Sequence, residues 1–279
     1  MTRIDTTFPF SQQSLGDFAD CPRRFYLRYV LRQPWPQLES TPDGYDVPAY
    51  REFLRKGAAL HRWVERHWLG LPEADGAASA ELAADPEFAL WWRRFLAEDF
   101  SALPAQRIPE LALMAPLGAH TLTARLDLLA VDEHSGRAVI VDWKTMRGAA
   151  AQRPEFLRQR VQTRAYLYAL AVAGAPYRGA REGADGCEFH YWMANAPDGR
   201  WVRFVYDREA FAQDRLMLEA LAADAASRDG EAEFEMTDDH RTCGLCTYAT
   251  LCRRGHAASP EEFHDEDIDW APETADIEY

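Results

Sequence analysis

Two carboxylates stand where a strand would ordinarily hide apolar side chains. Asp127 interrupts the run Arg125, Leu126, Asp127, Leu128, Leu129, and Asp142 closes the run Val139, Ile140, Val141. A carboxylate among buried neighbours is costly unless it is paired, hydrogen-bonded or bound to a metal. Lys144 follows Asp142 by two, and side chains alternate along an extended chain, so acid and lysine share one face. This set suits metal-assisted hydrolysis of a phosphodiester. Asp127 and Asp142 supply hard oxygen ligands for Mg²⁺ or Mn²⁺, the cation activates water, and Lys144 positions or deprotonates that water. A partly desolvated lysine can be tuned for such work, whereas an arginine stays charged. The choice is conspicuous because Lys56 and Lys144 are the only lysines among 31 basic residues, and Asp-x-Lys occurs once. A surface ion pair at a strand end would carry the same two residues, so the surroundings decide.

A second constellation is made of sulfur. Cys243, Cys246 and Cys252 have the spacing C-x2-C-x5-C, and Cys21 lies far upstream, just before Pro22. Two thiolates three positions apart can reach one metal, which in a chain of this length points to a metal centre in a reducing compartment. The spacing alone leaves zinc and iron–sulfur both open. Cys187, in a strand-like run beside Glu188 and Phe189, reads as a packing residue.

The elements that must position these groups follow from period and punctuation. Ser11 caps a helix through about Asp20, Pro22 opens a second one, and 33–48 reads as a Pro-rich loop. Helical spacing runs from Ala49 to Trp68 and again from Asp85 and Pro86 to Phe100. The period then changes, with strands expected at 108–116, 121–131 and 137–142. Pro154 opens one long helix through Ala173, strands follow at 186–195 and 200–206, and a helix spans 208–227. Helices, strands, helix, strands, helix in that order argue an α/β fold, a central mixed sheet flanked by helices.

The run Gly57, Ala58, Ala59, Leu60, His61, then Asp127, then Asp142, Trp143, Lys144, then Gln162, Thr163, Arg164, Ala165, Tyr166 resembles the ordered motifs of RecB-like nucleases of the PD-(D/E)XK superfamily. The resemblance covers about Cys21 to Cys252 and implies a restriction-endonuclease-like core. It implies His61, Asp127, Asp142 and the backbone carbonyl of Trp143 as metal ligands, with Lys144 serving catalysis. Glu110, after Pro109 on the first long strand, stands where many members carry an acid and takes a supporting catalytic role. Gln162 and Tyr166, one helical turn apart, share a face that can orient the lysine or meet DNA. Without the resemblance, His61 and Tyr166 would read as packing residues. Cys21 followed by Pro-Arg-Arg-Phe-Tyr, with three C-terminal cysteines, is similar to the iron–sulfur members, among them the AddB nuclease domain and the CRISPR adaptation nucleases. A [4Fe–4S] cluster at the four cysteines is implied, with zinc as the alternative.

On this reading residues 1–260 are one nuclease domain. Ends 1–32 and 228–260 bind the cluster around a core of about 49–227, and 261–279 form a disordered acidic tail. The implied activity is a metal-dependent exonuclease on single-stranded DNA or DNA ends, in repair, recombination or phage- or CRISPR-related processing. Partners would be DNA and a helicase or CRISPR adaptation proteins. Two rivals are a nuclease dedicated to spacer acquisition and a non-catalytic DNA-binding subunit that kept the fold.

Composition tempers the DNA partner without excluding it. The net charge of −14 is the wrong sign for a phosphate binder. Nine acids and no Lys or Arg fall in Glu261 to Tyr279, leaving 31 basic and 36 acidic residues in the rest. That tail reads either as a solvated end or as a DNA-like segment competing for the site. With no signal-like or membrane-length apolar run, a cytoplasmic location is expected. Arg23, Arg24, Tyr26, Arg28 and Tyr29, and likewise Trp91, Trp92, Arg93 and Arg94, mix cations with rings, which suits either single-stranded DNA or helices packed ring-side inward.

Overall fold

The computed structural model describes residues 3–5, 7–34, 47–72, 83–145, 153–196, 201–239, 242–243 and 246–254. The acidic tail and most of the Pro-rich stretch lie outside the described residues. Alternating apolar residues build strands β1 (Pro9–Ser11), β2 (Gln106–Leu117), β3 (His120–Asp132), β4 (Arg137–Lys144), β5 (Cys187–Met193) and β6 (Trp201–Val205). They form one mixed six-stranded sheet centred on β3. β2 runs antiparallel along one edge of β3. The other edge is shared by β1, parallel at 121–123, and β4, antiparallel at 128–132. β5 joins β4 in parallel, placing Tyr191 beside Asp142, and β6 closes the sheet antiparallel to β5.

Helices α1 (Gln12–Asp20), α2 (Pro22–Phe25), α3 (Val47–Trp68), α4 (Pro86–Leu96), α5 (Pro154–Gln159), α6 (Val161–Ala173) and α7 (Arg208–Ser227) cover both faces. Against one face pack α1, α6 and α7, around Phe10, Phe25, Tyr191 and Phe234. Against the other pack α3 and α4, where Trp63, Trp91, Trp92 and Phe95 meet Trp143 and Trp192. The start signals work as their chemistry requires. Ser11 and Ser14 form a capping box, and Asp85 accepts from the Phe88 amide at 2.9 Å.

One irregularity matters for function. On β3, Leu122, Ala124 and Leu126 face the α6 layer, but beyond Asp127 that face is taken up by Leu129 and Val131, while Leu128 and Ala130 turn to the α3 layer. Strict alternation would keep one parity. The phase breaks at Asp127 and, on β2, at Glu110. The register pairs Leu111 with Leu126 and Pro109 with Leu128, so these two acids stand opposite each other without a ladder pair. Glu110 holds φ 51°, a left-handed conformation uncommon for a residue with a side chain.

Several expectations shift. The single helix from Pro154 to Ala173 is two helices, because Arg160 takes an extended conformation (φ −59°, ψ 140°). That break lets the Thr163 hydroxyl donate to the Leu157 carbonyl at 2.6 Å. The helix expected to reach Phe100 stops at Leu96, and Glu98 turns inward to accept from the indoles of Trp192 and Trp201 at 2.9 and 3.1 Å. β1 was not expected: its three residues pair in parallel with a strand more than a hundred positions away.

Candidate active site

Four elements converge at the end of β4. Alternation holds there: Trp143, almost fully buried, faces Trp192 and Phe95 in the α3 layer, while Asp142 and Lys144 face Gln162 at the start of α6. Lys144 Nζ donates to Gln162 Oε1 at 2.8 Å and lies 3.1 Å from Asp142 Oδ2. Gln162 Nε2 donates to Asp142 Oδ1 at 2.9 Å. The three side chains thus close a ring, all buried. Beneath the ammonium lies the Tyr191 ring, 5.8 Å to its centroid, its hydroxyl 2.6 Å from Thr163 Oγ1.

From the opposite layer α3 brings His61, whose Nδ1 is 3.2 Å from Asp127 Oδ2. The Trp143 amide donates to the same oxygen at 3.0 Å, tying the break in β3 to the end of β4. Glu110 is ion-paired with Arg125 at 2.6 Å. The structure therefore brings His61, Asp127, Asp142, the Trp143 backbone, Lys144, Gln162 and Glu110 into one locality. Tyr166 is packed against Phe189 in the core beneath α6, ring centroids 6.3 Å apart. Two neighbours escaped the sequence reading. Arg125 partners Glu110, and Glu65, one turn after His61 on the same helix face, adds negative charge beside Glu110. The i, i+4 spacing of His61 and Glu65 was the available signal.

Electrostatics show a site crowded with negative charge. Burial, with Asp127 close by, pushes Glu110 up to about 7 despite Arg125. Burial also raises Asp142, Lys144 opposing and Asp127 reinforcing the shift. For Asp127, burial acts upward but is outweighed by the charge and hydrogen bond of His61, so its carboxyl is lowered. His61 is the mirror case: burial acts downward, Asp127 outweighs it, and the imidazole is raised. Asp142 Oδ2 is buried and accepts no well-formed hydrogen bond. Among the described residues no three His, Cys, Asp or Glu side chains already form a metal cage. The donors here are turned onto each other, His61 to Asp127 and Lys144 to Asp142. Even so, two buried carboxylates, one of them, with Glu110, held above its ordinary range, and an imidazole form a donor set that suits a hard divalent cation.

The second sequence constellation also gathers. Cys21, at the junction of α1 and α2, lines one small cavity with Cys243, Cys246 and Cys252, together with Arg24 and Arg254. All four are free thiols. Burial pushes Cys246 up to about 11 and raises Cys243 and Cys252. The four thiols share this cavity, but among the described residues no three of them are placed as a cluster able to hold a metal ion. Around it the N- and C-terminal segments are pinned by direct contacts. Arg23 Nε donates to the Phe234 carbonyl at 2.8 Å, Tyr26 stacks on Phe234, and Tyr248 donates to the Gln33 carbonyl at 3.0 Å. Arg24, Arg28 and Tyr29 all meet the buried Asp17, and Trp91 and Trp92 are core. These cation and ring mixtures serve packing. Cys187 is fully buried, as expected of a packing cysteine.

A family model for the PD-(D/E)XK nuclease superfamily matches residues 9–253. The solved structure of the protein SSO0001 resembles the chain at 13% identity over 90% of this chain and 88% of that one, with a TM-score of 0.38, a likeness too loose to bear on the site. No curated protein matches the sequence. No helix among the described residues is long and apolar enough to cross a membrane.

Proposed function

The chain belongs to the PD-(D/E)XK nuclease superfamily, and from that premise we propose that it is a metal-dependent deoxyribonuclease of the RecB-like kind, acting on single-stranded DNA or DNA ends. The observation that carries this reading is the closed ring of Asp142, Lys144 and Gln162 facing the His61–Asp127 pair across the end of β4. His61, Asp127 and Asp142, with the Trp143 carbonyl, would hold Mg²⁺ or Mn²⁺. When bound, the cation lowers the pKa of water and stabilises charge developing on the phosphoryl oxygens. Gln162 fixes the ammonium of Lys144, and Lys144 aims the attacking water at phosphorus. The Trp143 amide keeps the Asp127 carboxylate oriented. Glu110 adds negative charge beside Asp127 and strengthens the site for a cation.

Residues 1–260 act as one unit, in which Cys21, Cys243, Cys246 and Cys252 would hold a [4Fe–4S] cluster, or zinc in its place, linking the N- and C-terminal segments structurally. Supporting this are the cavity the four thiols share and its place between the N- and C-terminal segments. The decisive assay follows end-labelled single- and double-stranded DNA with Mg²⁺ or Mn²⁺. Wild type cleaves; Asp142→Ala and Lys144→Ala do not, although both fold. Metal bound without cleavage on either substrate would replace this reading with a non-catalytic DNA-binding subunit.

A further inference from the structure

The catalytic groups come from two helical layers, so something must set how far α3 stands from the end of β4. Gly57 lies one turn before His61 and is buried. A Cβ added there would come within 2.9 Å of Thr145 Oγ1, the residue after Lys144. At that distance the neighbour has to move, and a threonine has little χ1 freedom with which to do so. Glycine inside a helix is otherwise unfavourable relative to alanine, so its presence in the middle of a 22-residue helix calls for a packing reason.

Both partners in this contact are held. On the helix side, the neighbouring Lys56 reaches Asp85 at 2.7 Å and Glu87 at 3.2 Å at the start of α4. On the strand side, the Lys144 carbonyl accepts from the Ala194 amide at 2.8 Å, and the Thr145 carbonyl accepts from Asn195 Nδ2 at 2.5 Å. Arg94 Nη1 donates to the Ala194 carbonyl at 2.7 Å, fastening that strand pair to α4. Neither side can drift without breaking bonds.

From this geometry we infer that Gly57 and Thr145 form a spacer: their close contact fixes the approach of α3 and so the distance from His61 to the acids. Both are positioning residues, and neither touches substrate. The inference rests on the reading of His61 as a metal ligand given above. Adding a methyl at Gly57 pushes His61 outward, and trimming Thr145 makes room for that methyl.

The test is Mn²⁺ binding by the full chain, followed by electron paramagnetic resonance of the free ion, for wild type, Gly57→Ala, Thr145→Ala, the double variant and His61→Ala. Gly57→Ala is expected to bind at least ~10-fold more weakly, the scale seen when a ligand's orienting support is lost. Thr145→Ala, whose backbone stays held by Ala194 and Asn195, stays within about twofold of wild type, and the double variant returns to within about threefold of it, the coupling expected of residues in contact. Wild-type affinity in Gly57→Ala, or a double variant as weak as Gly57→Ala, overturns the spacer. Undiminished binding in His61→Ala overturns the ligand assignment itself, so the two failures are distinguishable. Should Gly57→Ala unfold, a double variant that folds and binds Mn²⁺ supports the inference and one that also unfolds overturns it.

Discussion

Glu110 combines two features that stability alone would reject. Its backbone sits at φ 51°, and its carboxyl is pushed up to about 7 from 4.5. A carboxyl raised in the folded state contributes stability that is complete below its ordinary value and is lost as pH rises through about 7. The shift corresponds to an upper bound of ~3 kcal/mol. The side chain is 19% exposed and paired with Arg125, so solvent screening reduces this to roughly 1–2 kcal/mol. In metal-free protein Glu110→Gln should therefore be more stable than wild type by roughly 1–2 kcal/mol at about pH 8, and by less than about 0.5 kcal/mol at about pH 5. Glu110→Gly should gain about 1 kcal/mol further, because glycine accepts the left-handed backbone. Urea unfolding of chelator-treated protein at both pH values measures each difference. A saturating divalent cation should then favour wild type, which keeps the charge. A Glu110→Gln variant less stable than wild type at the higher pH would refute the reasoning, because it would show the carboxylate to be a favourable partner of Arg125 and not a charge held against its preference.

Gln162→Ala opens the ring that holds Lys144 against Asp142 and should lower kcat by ~100-fold, the scale of a misplaced catalytic group, and cost about 1–3 kcal/mol in urea unfolding because it leaves buried Asp142 and Lys144 groups without their partner; an unchanged kcat in the folded variant would contradict the positioning role. Arg178, fully buried, donates to the Gly136, Gly183 and Asp185 carbonyls and fastens 177–186 to the turn between β3 and β4. Arg178→Met should cost about 3 kcal/mol or more in urea unfolding, because it strands buried acceptors. Anaerobically purified protein should be brown, with broad absorption near roughly 400 nm that Cys246→Ala abolishes; colourless protein holding one zinc would assign the cavity to zinc and leave the nuclease reading untouched.

What could be read from the chain and what could not divide along a physical line. Asp142 and Lys144 on one face, with Trp143 on the other, follow from the two-residue period of a strand, and the structure keeps that period at the end of β4. The caps at Ser11 and Asp85 are local chemistry and were legible for the same reason. The break at Arg160 was not, because the Thr163 hydroxyl that bonds the Leu157 carbonyl also meets the Tyr191 hydroxyl, a contact made only after β5 is in place. The left-handed turn at Glu110 depends on a matching break on β3, sixteen to eighteen positions along the chain, and no propensity scale registers such a pair. Gly57 was visible as part of a motif, but its meeting with Thr145 is a contact between distant segments.

The two-sided construction of the site carries a consequence for the life of the molecule. His61 arrives with the α3 layer and Gln162 with the α6 layer, and the strand end between them belongs to both. A chain that has docked only one layer holds half of the candidate site, so the complete set of side chains exists only once both layers are packed on the sheet.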